Sequence, residues 1–276
     1  MPAPPSPELV RSRALTRVKQ RLPPALRYKL YALKVRGTKA FEATYARATG
    51  LLPAHLAGRI DYLRPSYRER YGGPLNGQQR RQEIVRQLAR AIPFEAVLET
   101  GTLRGSATEF FASVFRTPVW TVENDPRLVE YSRRRFARNP AVNVELGDSR
   151  RFLERFLDES EGSEGILFVY LDAHWQEDLP LAEELSIIAR AGRPSVVMVD
   201  DFQVPDDSGY RYDDYGPGKA LVEDYLPVSL LHGWALMYPT VRSEEETGAR
   251  RGCCVLASPG LIEQAQVPGL ATARIL

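Results

Sequence analysis

Apolar positions along this chain fall into short continuous runs separated by stretches of helical spacing. Ile84, Val85, Leu88 and Ile92 recur at intervals of one helical face until Pro93 ends them. A run at Ala96–Leu98 follows, then Ala107, Phe110, Phe111, Val114 and Phe115 at helical spacing, then a second run at Val119–Val122. Asp125-Pro126 has the form of an N-cap followed by proline at the first helical position, and after that helix Val142, Val144 and Leu146 alternate as in a strand. Phe152, Leu153, Phe156 and Leu157 predict a helix and Ile166–Leu171 a buried strand. Leu181, Leu185 and Ile188 predict a helix opening at Pro180, and Ser195–Val199 a further buried strand.

Five strands thus alternate with helices. Runs that are almost entirely apolar, rather than half polar, predict an α/β fold whose parallel sheet is covered on both faces. Such a sheet has right-handed crossovers and gathers ligands at the carboxyl ends of its strands. Trp234–Val241 and Gly252–Ala257, joined by a polar connection, predict an antiparallel pair at the sheet edge. Upstream, Val10–Tyr45 is helix-prone but broken by Pro23-Pro24 and Gly37, and Gly72-Gly73-Pro74 marks a turn. We therefore divide the chain into a basic helical amino-terminal arm, residues 1–70, and a core domain, residues 71–276.

Charge adds an asymmetry to this division. Residues 1–60 hold 12 Lys and Arg against 2 acids, a charge of +10, while the remaining residues hold 25 against 33, a charge of −8. The arm could reach a membrane surface or a protein partner, or pack as a solvated helix on its own acidic body. A nucleic-acid substrate is disfavoured by the negative body. No stretch has the roughly 20 apolar residues of a membrane span, and Met1–Pro7 lacks the apolar segment of a secretory signal, so a cytoplasmic location is expected. Cys253 and Cys254, adjacent in an apolar run, would point to opposite faces of a strand and are read as reduced thiols.

The chemistry-bearing residues stand directly after the strands. After the first comes Glu99-Thr100-Gly101-Thr102-Leu103-Arg104-Gly105-Ser106, where Gly101 and Gly105 allow a tight turn and close approach of backbone to ligand. Glu123, 22 residues beyond Gly101, follows the second strand, where a carboxylate can accept from both ribose hydroxyls. A dinucleotide site wants G-x-G-x-x-G; Leu103 stands at its third position, where a glycine is needed, which favours a nucleoside without phosphates over a nicotinamide cofactor. Asp148 and Ser149 after the third strand could bind adenine or simply cap a helix. Asp172, Asp200 and Asp201 follow the fourth and fifth strands and, if those strands are neighbours, converge as oxygen ligands for Mg²⁺ or a similar hard cation. His174 could take a proton from a substrate hydroxyl or orient one of these acids, and Trp175 would form a wall. The polar, aromatic segment from Asp206 to Gly218 reads equally as a lid and as a solvated loop.

Taken together, E-T-G-T-x-x-G-S, the acid after the second strand, G-D-S, L-D-A-H-W and V-D-D-F resemble the class I S-adenosylmethionine-dependent methyltransferases over residues 75 to 257. The cast is similar to that of metal-dependent O-methyltransferases of the catechol and of the macrocin and cephalosporin-tailoring groups. The resemblance implies a Rossmann-like sheet of order 3-2-1-4-5-7-6 with the last strand antiparallel. It implies a cofactor site built on Glu99, Thr100, Gly101, Thr102, Gly105, Ser106, Glu123, Asp148 and Ser149, with Asn76 upstream at the methionine end. It also implies a metal on Asp172, Asp200 and Asp201. The catechol-type lysine base has no counterpart, so His174, with Asp172, is expected to carry the catalysis.

The expected activity is methyl transfer to a hydroxyl of a small molecule, a sugar or glycosylated metabolite fitting the polar loop, by a chain that could form a homo-oligomer. A non-catalytic scaffold keeping the methyltransferase fold stays open as the alternative, because fold does not fix chemistry.

Overall fold

The computed structural model of the protein describes residues 43–64, 73–174 and 178–276. Two compact units divide the chain after Pro53. In the first, residues 43–50 form helix α1, in which the Thr49 hydroxyl donates to the Tyr45 carbonyl at 2.8 Å. The amino-terminal stretch that gives the arm most of its positive charge, and Trp175, lie outside the described residues.

The second unit opens with α2 (Ala54–Tyr62), which packs on α5 (Pro126–Phe136). Gly58 makes the approach close: a β-carbon there would lie 2.3 Å from the Arg127 carbonyl oxygen. Asp61, 1% exposed, accepts from Arg127 Nε at 2.6 Å and from Arg64 Nη1 at 3.0 Å.

Helix α3 (Gln79–Ala91) then leads into the alternation expected from the apolar runs. Its elements are β1 (Phe94–Thr100), α4 (Ser106–Val114), β2 (Val119–Glu123), α5, β3 (Val142–Leu146), α6 (Ser149–Glu159), β4 (Ile166–Leu171), α7 (Leu181–Ala191) and β5 (Ser195–Asp200). The two later runs form β6 (Ala235–Pro239) and β7 (Cys253–Ala257). Asp125 caps α5 by accepting from the Arg127 amide at 2.7 Å, with Pro126 at the first helical position, as the sequence foretells.

The strands lie in the order β3-β2-β1-β4-β5-β7-β6-β8. The first five are mutually parallel; β7 runs antiparallel to both β5 and β6. This is the 3-2-1-4-5-7-6 order with an antiparallel β7, extended at the edge by β8 (Leu270–Ile275), antiparallel to β6. The hydrophobic pattern does not announce β8, because only Leu270 of its six residues is buried and the strand has no apolar face to display.

Alternate residues of the central strands enter different cores. Leu98, Val169 and Val197 pack with Phe152, Leu153 and Leu185 of α6 and α7, while Val97, Phe168 and Met198 pack with Leu88 and Phe111 of α3 and α4. Cys253 and Cys254 are free and buried, in keeping with reduced thiols.

After β5 the chain makes a long excursion, residues 201–234, that is pinned by Asp207. This buried carboxylate accepts from the Ser243 amide and hydroxyl, each at 2.7 Å, and from the Gly209 amide at 3.0 Å. Burial works against its charge, but these donors outweigh it and hold Asp207 below the usual carboxylate range. A depressed acid stabilises the fold above its unfolded pKa, and that contribution is lost as pH falls through the lower folded value. Asp207→Ala is expected to cost about 1–3 kcal/mol. The cost should shrink below about pH 4, the unfolded Asp value, in urea denaturation across pH.

Candidate functional site

At the carboxyl edge of β1 to β5 a cavity of about 510 Å³ opens, within the roughly 300–1,000 Å³ typical of small-molecule sites. It is lined by Gly101 and Leu103 after β1, Glu123 to Asp125 after β2, Gly147 to Ser149 after β3, Asp172 to His174 after β4, and Asp201 and Asp213 after β5. A smaller cavity of about 70 Å³, lined by Asn76, Glu99, Thr102, Ser106, Tyr170 and Asp200, shares Gly101, Leu103 and Asp172 with it. A larger groove of about 920 Å³ lies at the opposite, amino end of the sheet, between the loops that precede β4 and β5, and contains none of the predicted site residues.

The turn after β1 is built around two glycines in left-handed conformation, Gly101 at φ 86° and Gly105 at φ 72°. A β-carbon on Gly101 would stand 2.3 Å from the Asp172 carbonyl oxygen, so the β1 and β4 loops meet backbone to backbone. Thr102 and Thr121 share a hydroxyl hydrogen bond of 2.6 Å that ties this turn to β2. Leu103, at φ 48°, offers its amide to Glu123 Oε2 at 2.8 Å, and the Asp125 amide meets Glu123 Oε1 at 3.0 Å. Burial raises the Glu123 pKa against these amide bonds.

Glu99 is 1% exposed and takes the Thr108 hydroxyl. Burial pushes its carboxyl up to about 7. Glu184 of α7, equally buried, is likewise pushed up to about 7 by burial, against the pull of Ser149 and Thr100. Asp148 caps α6 through the Arg150 and Arg151 amides at 3.0 and 3.3 Å, and the Arg150 side chain also grips it, at 2.6 Å for Nη2. The arginine lowers the Asp148 pKa, so the cap reading accounts for its bonds.

The acids after β4 and β5 do not gather as expected. The strands are neighbours, with Leu171 opposite Val199, yet the ligating atoms that come within 4.8 Å of one another belong to Asp172, His174 and Asp201. Asp200 is turned away by the alternation of β5 and lies 1% exposed in an ion pair with Arg81, which is 2% exposed. The geometry thus sets His174, rather than Asp200, beside Asp172 and Asp201.

His174 Nε2 lies 3.5 Å from Asp213 Oδ2, 3.8 Å from Asp201 Oδ2 and 3.9 Å from Asp172 Oδ1. Burial alone would lower its pKa; Asp201, Asp200 and Asp213 raise it. Arg251 bridges the far side, with Nε on Asp201 Oδ1 at 2.6 Å and Nη2 on Asp213 Oδ1. Burial opposes the Asp201 charge, but His174 and Arg251 hold this acid down at about 2. Burial, followed by the charges of Asp200, Asp201 and Glu99, puts Asp172 well above the usual range, against the pull of Arg81.

Strand order and the position of the site give the class I methyltransferase fold. Among solved structures, 429 chains match. They include the O-methyltransferase TomG from Streptomyces achromogenes in complex with SAM, at 19% identity and TM-score 0.48 over 65% of this chain and 80% of that one. Cofactor-bound Rv0187 from MTB matches at 22% identity and TM-score 0.47, over 74% and 87% of the two chains. The 23S rRNA methyltransferase ErmE matches at 17% identity and TM-score 0.40, over 65% and 68%. No family model and no curated protein matches the sequence.

Of the predicted cofactor residues, Gly101, Glu123, Asp148 and Ser149 line the larger cavity and Asn76, Glu99, Thr102 and Ser106 the smaller. Thr100 is fully buried at the end of β1, and Gly105 serves as the left-handed N-cap of α4; neither lines either of these two cavities. Sequence reading missed Arg81, Glu184 and Arg251. Arg81 carried a signal, since it extends the helical stripe of Ile84, Val85 and Leu88 by one turn and thereby occupies a core-facing position.

Glu99 and Glu184 contribute to the pH response of the fold near neutrality. An acid raised from 4.5 to about 7 stabilises the protein fully below its unfolded pKa, and the contribution disappears as pH rises through 7. The urea midpoint should therefore fall as pH rises from about 4.5 to about 7 and level off above that. Glu184→Gln should flatten that fall, and an unchanged slope in this variant would refute the assignment.

Proposed function

We propose that the protein is an S-adenosylmethionine-dependent methyltransferase that methylates a hydroxyl oxygen of a small polyhydroxylated acceptor, such as a sugar, with the help of a divalent cation. The observation that carries the reading is the pair of acids flanking the Gly101 turn, Glu123 in the larger cavity and Glu99 in the smaller. Glu123 is fixed by two backbone amides with its remaining lone pairs free for ribose hydroxyls. Glu99 is a buried acid bonded to a neutral hydroxyl, the environment that a ligand ammonium completes. The backbone from Gly147 to Ser149 remains for adenine, Asp148 being engaged by Arg150 and the Ser149 hydroxyl directed to Glu184.

When bound, the cofactor supplies a sulfonium-activated methyl carbon for in-line displacement by the acceptor oxygen, and the protein's main contribution is to hold the two in line. Asp172 and Asp201 fit a divalent cation: both are oxygen donors, and Asp172 has no cationic side chain within salt-bridge distance other than His174, at 3.9 Å, among the described residues. Such an ion, Mg²⁺ in our reading, lowers the pKa of a hydroxyl that it binds. His174 takes the proton at Nε2, and Asp201 and Asp213 stabilise the imidazolium. Asp172, Asp178, Asp201 and Asp213 on the cavity wall suit a neutral polyol and repel phosphate, which argues against nucleic acid. Two buried free thiols favour the cytoplasm. No described helix is long and apolar enough to cross a membrane.

Calorimetric titration with S-adenosylhomocysteine tests the cofactor. Micromolar binding, weakened about tenfold or more by Glu123→Ala through loss of charge-assisted bonds, is the expected result. No binding by the wild type would overturn the proposal in favour of a scaffold that keeps the fold. The affinity should also depend on pH: Glu99 must be ionised to hold the ligand ammonium, so binding should strengthen as pH rises through about 7. Glu99→Gln should remove this dependence. Asp172→Asn should abolish Mg²⁺-stimulated turnover while leaving S-adenosylhomocysteine affinity within about threefold of wild type.

A further inference from the structure

Every lone pair of consequence on Asp200 is engaged. Oδ1 accepts from Arg81 Nη1 and from the Asp201 amide at 2.8 Å; Oδ2 accepts from the Tyr170 hydroxyl at 2.5 Å and from Asn76 Nδ2 at 3.0 Å. Arg81 directs its other terminal nitrogen to the carbonyls of Arg251 and of Gly252, the latter at 2.9 Å. Gln78, three residues before it in the chain, brackets Arg251 from both sides, accepting from its amide at 2.6 Å and donating to its carbonyl at 3.0 Å.

Two recipients of this network stand in left-handed backbone, Asn76 at φ 59° and Asp201 at φ 52°. A residue with a side chain keeps that conformation only where its surroundings hold it. Asn76 lines the smaller cavity together with Glu99; Asp201 faces His174 in the larger. Asp200 therefore grips one residue in each half of the site, and Arg81 neutralises it from below.

We propose that Asp200, held by Arg81, is a positioning residue that fixes Asn76 at the methionine end of the cofactor and Asp201 at the acceptor end, and that it does not ligate the cation. The inference rests on the cofactor reading given above. To serve an ion, the carboxylate would have to leave a buried ion pair and three further hydrogen bonds, whereas Asp172 and Asp201, the donors assigned to the ion, already approach each other without it. In return for its burial, Asp200 links β5, the loop before α3 and the start of β7, three segments distant in sequence.

The test is a double-mutant cycle on S-adenosylhomocysteine affinity with Asn76→Ala, Asp200→Asn and both together. Each single change is expected to weaken binding about tenfold and the pair no further, because both act through one contact. Losses that multiply to about a hundredfold, or an Asp200→Asn variant that binds like wild type, would overturn the proposal. If Asp200→Asn does not fold, Arg81→Lys takes its place in the cycle: it keeps the charge but loses the fork to Arg251 and Gly252. Non-additivity with Asn76→Ala then supports the proposal and additivity overturns it.

Mn²⁺ titration followed by electron paramagnetic resonance reads the second half. Asp200→Asn should retain Mn²⁺ affinity within about threefold, since Asn still accepts from the Asp201 amide, whereas Asp172→Asn should lose about tenfold or more. Equal losses would make Asp200 a ligand and overturn the proposal. A wild type that binds S-adenosylhomocysteine but no Mn²⁺ would bring down the metal reading alone and leave the cycle to decide. A wild type that binds no S-adenosylhomocysteine brings down the cofactor reading and this proposal with it.

Discussion

Val97, Leu98, Phe168, Val169, Val197 and Met198 are wholly withdrawn from water, because helices cover both faces of the three central strands. Nothing charged can enter that slab without a partner, so the polar chemistry of the chain is forced to the strand ends. The five parallel strands deliver five such ends to one edge. The acids at Glu99, Glu123, Asp172, Asp200 and Asp201 all sit within one residue of the end of a strand. Their mutual repulsion is then a problem that the rest of the molecule answers with Arg81, Arg251 and His174.

The answer differs from acid to acid, and this sorts their roles. Asp200 receives a buried guanidinium; removing one partner of such a pair typically costs about 3–5 kcal/mol because the other charge is stranded. Asp201 receives a half-share of Arg251 and faces His174 with its other oxygen. Asp172 receives no cationic side chain within salt-bridge distance other than His174 at 3.9 Å, among the described residues. A gradient from fully compensated to uncompensated charge therefore runs from the base of the site to its open mouth, and the uncompensated end is where a substrate or ion has something to gain.

Much of this was legible in the sequence, because near-continuous apolar runs name buried parallel strands and acids directly after them name the edge. The seven strands of the main order, the Asp125 cap and the antiparallel β6–β7 pair follow from local pattern alone. What stayed hidden depends on partners far along the chain. Asp200 meets Arg81 across 119 residues and Asn76 across 124, and no spacing rule reaches that distance. The alternation of β5 does say that Asp200 and Asp201 face opposite ways, yet the doubled acid invites the reading that both serve one ion. Strand β8 was hidden for the opposite reason, having an exposed face that leaves no pattern to read.

The contact at Gly101 reaches beyond the chemistry. Since its α-carbon lies against the Asp172 carbonyl with no room for a side chain, the turn that follows β1 and the loop that follows β4 share a single backbone interface. Neither can change length or course without displacing the other. Grafting a new acceptor loop onto this scaffold would therefore succeed only as an exchange of both segments together, and divergence among descendants of such a chain would be channelled into the excursion after β5, which has no comparable lock on the β1 turn.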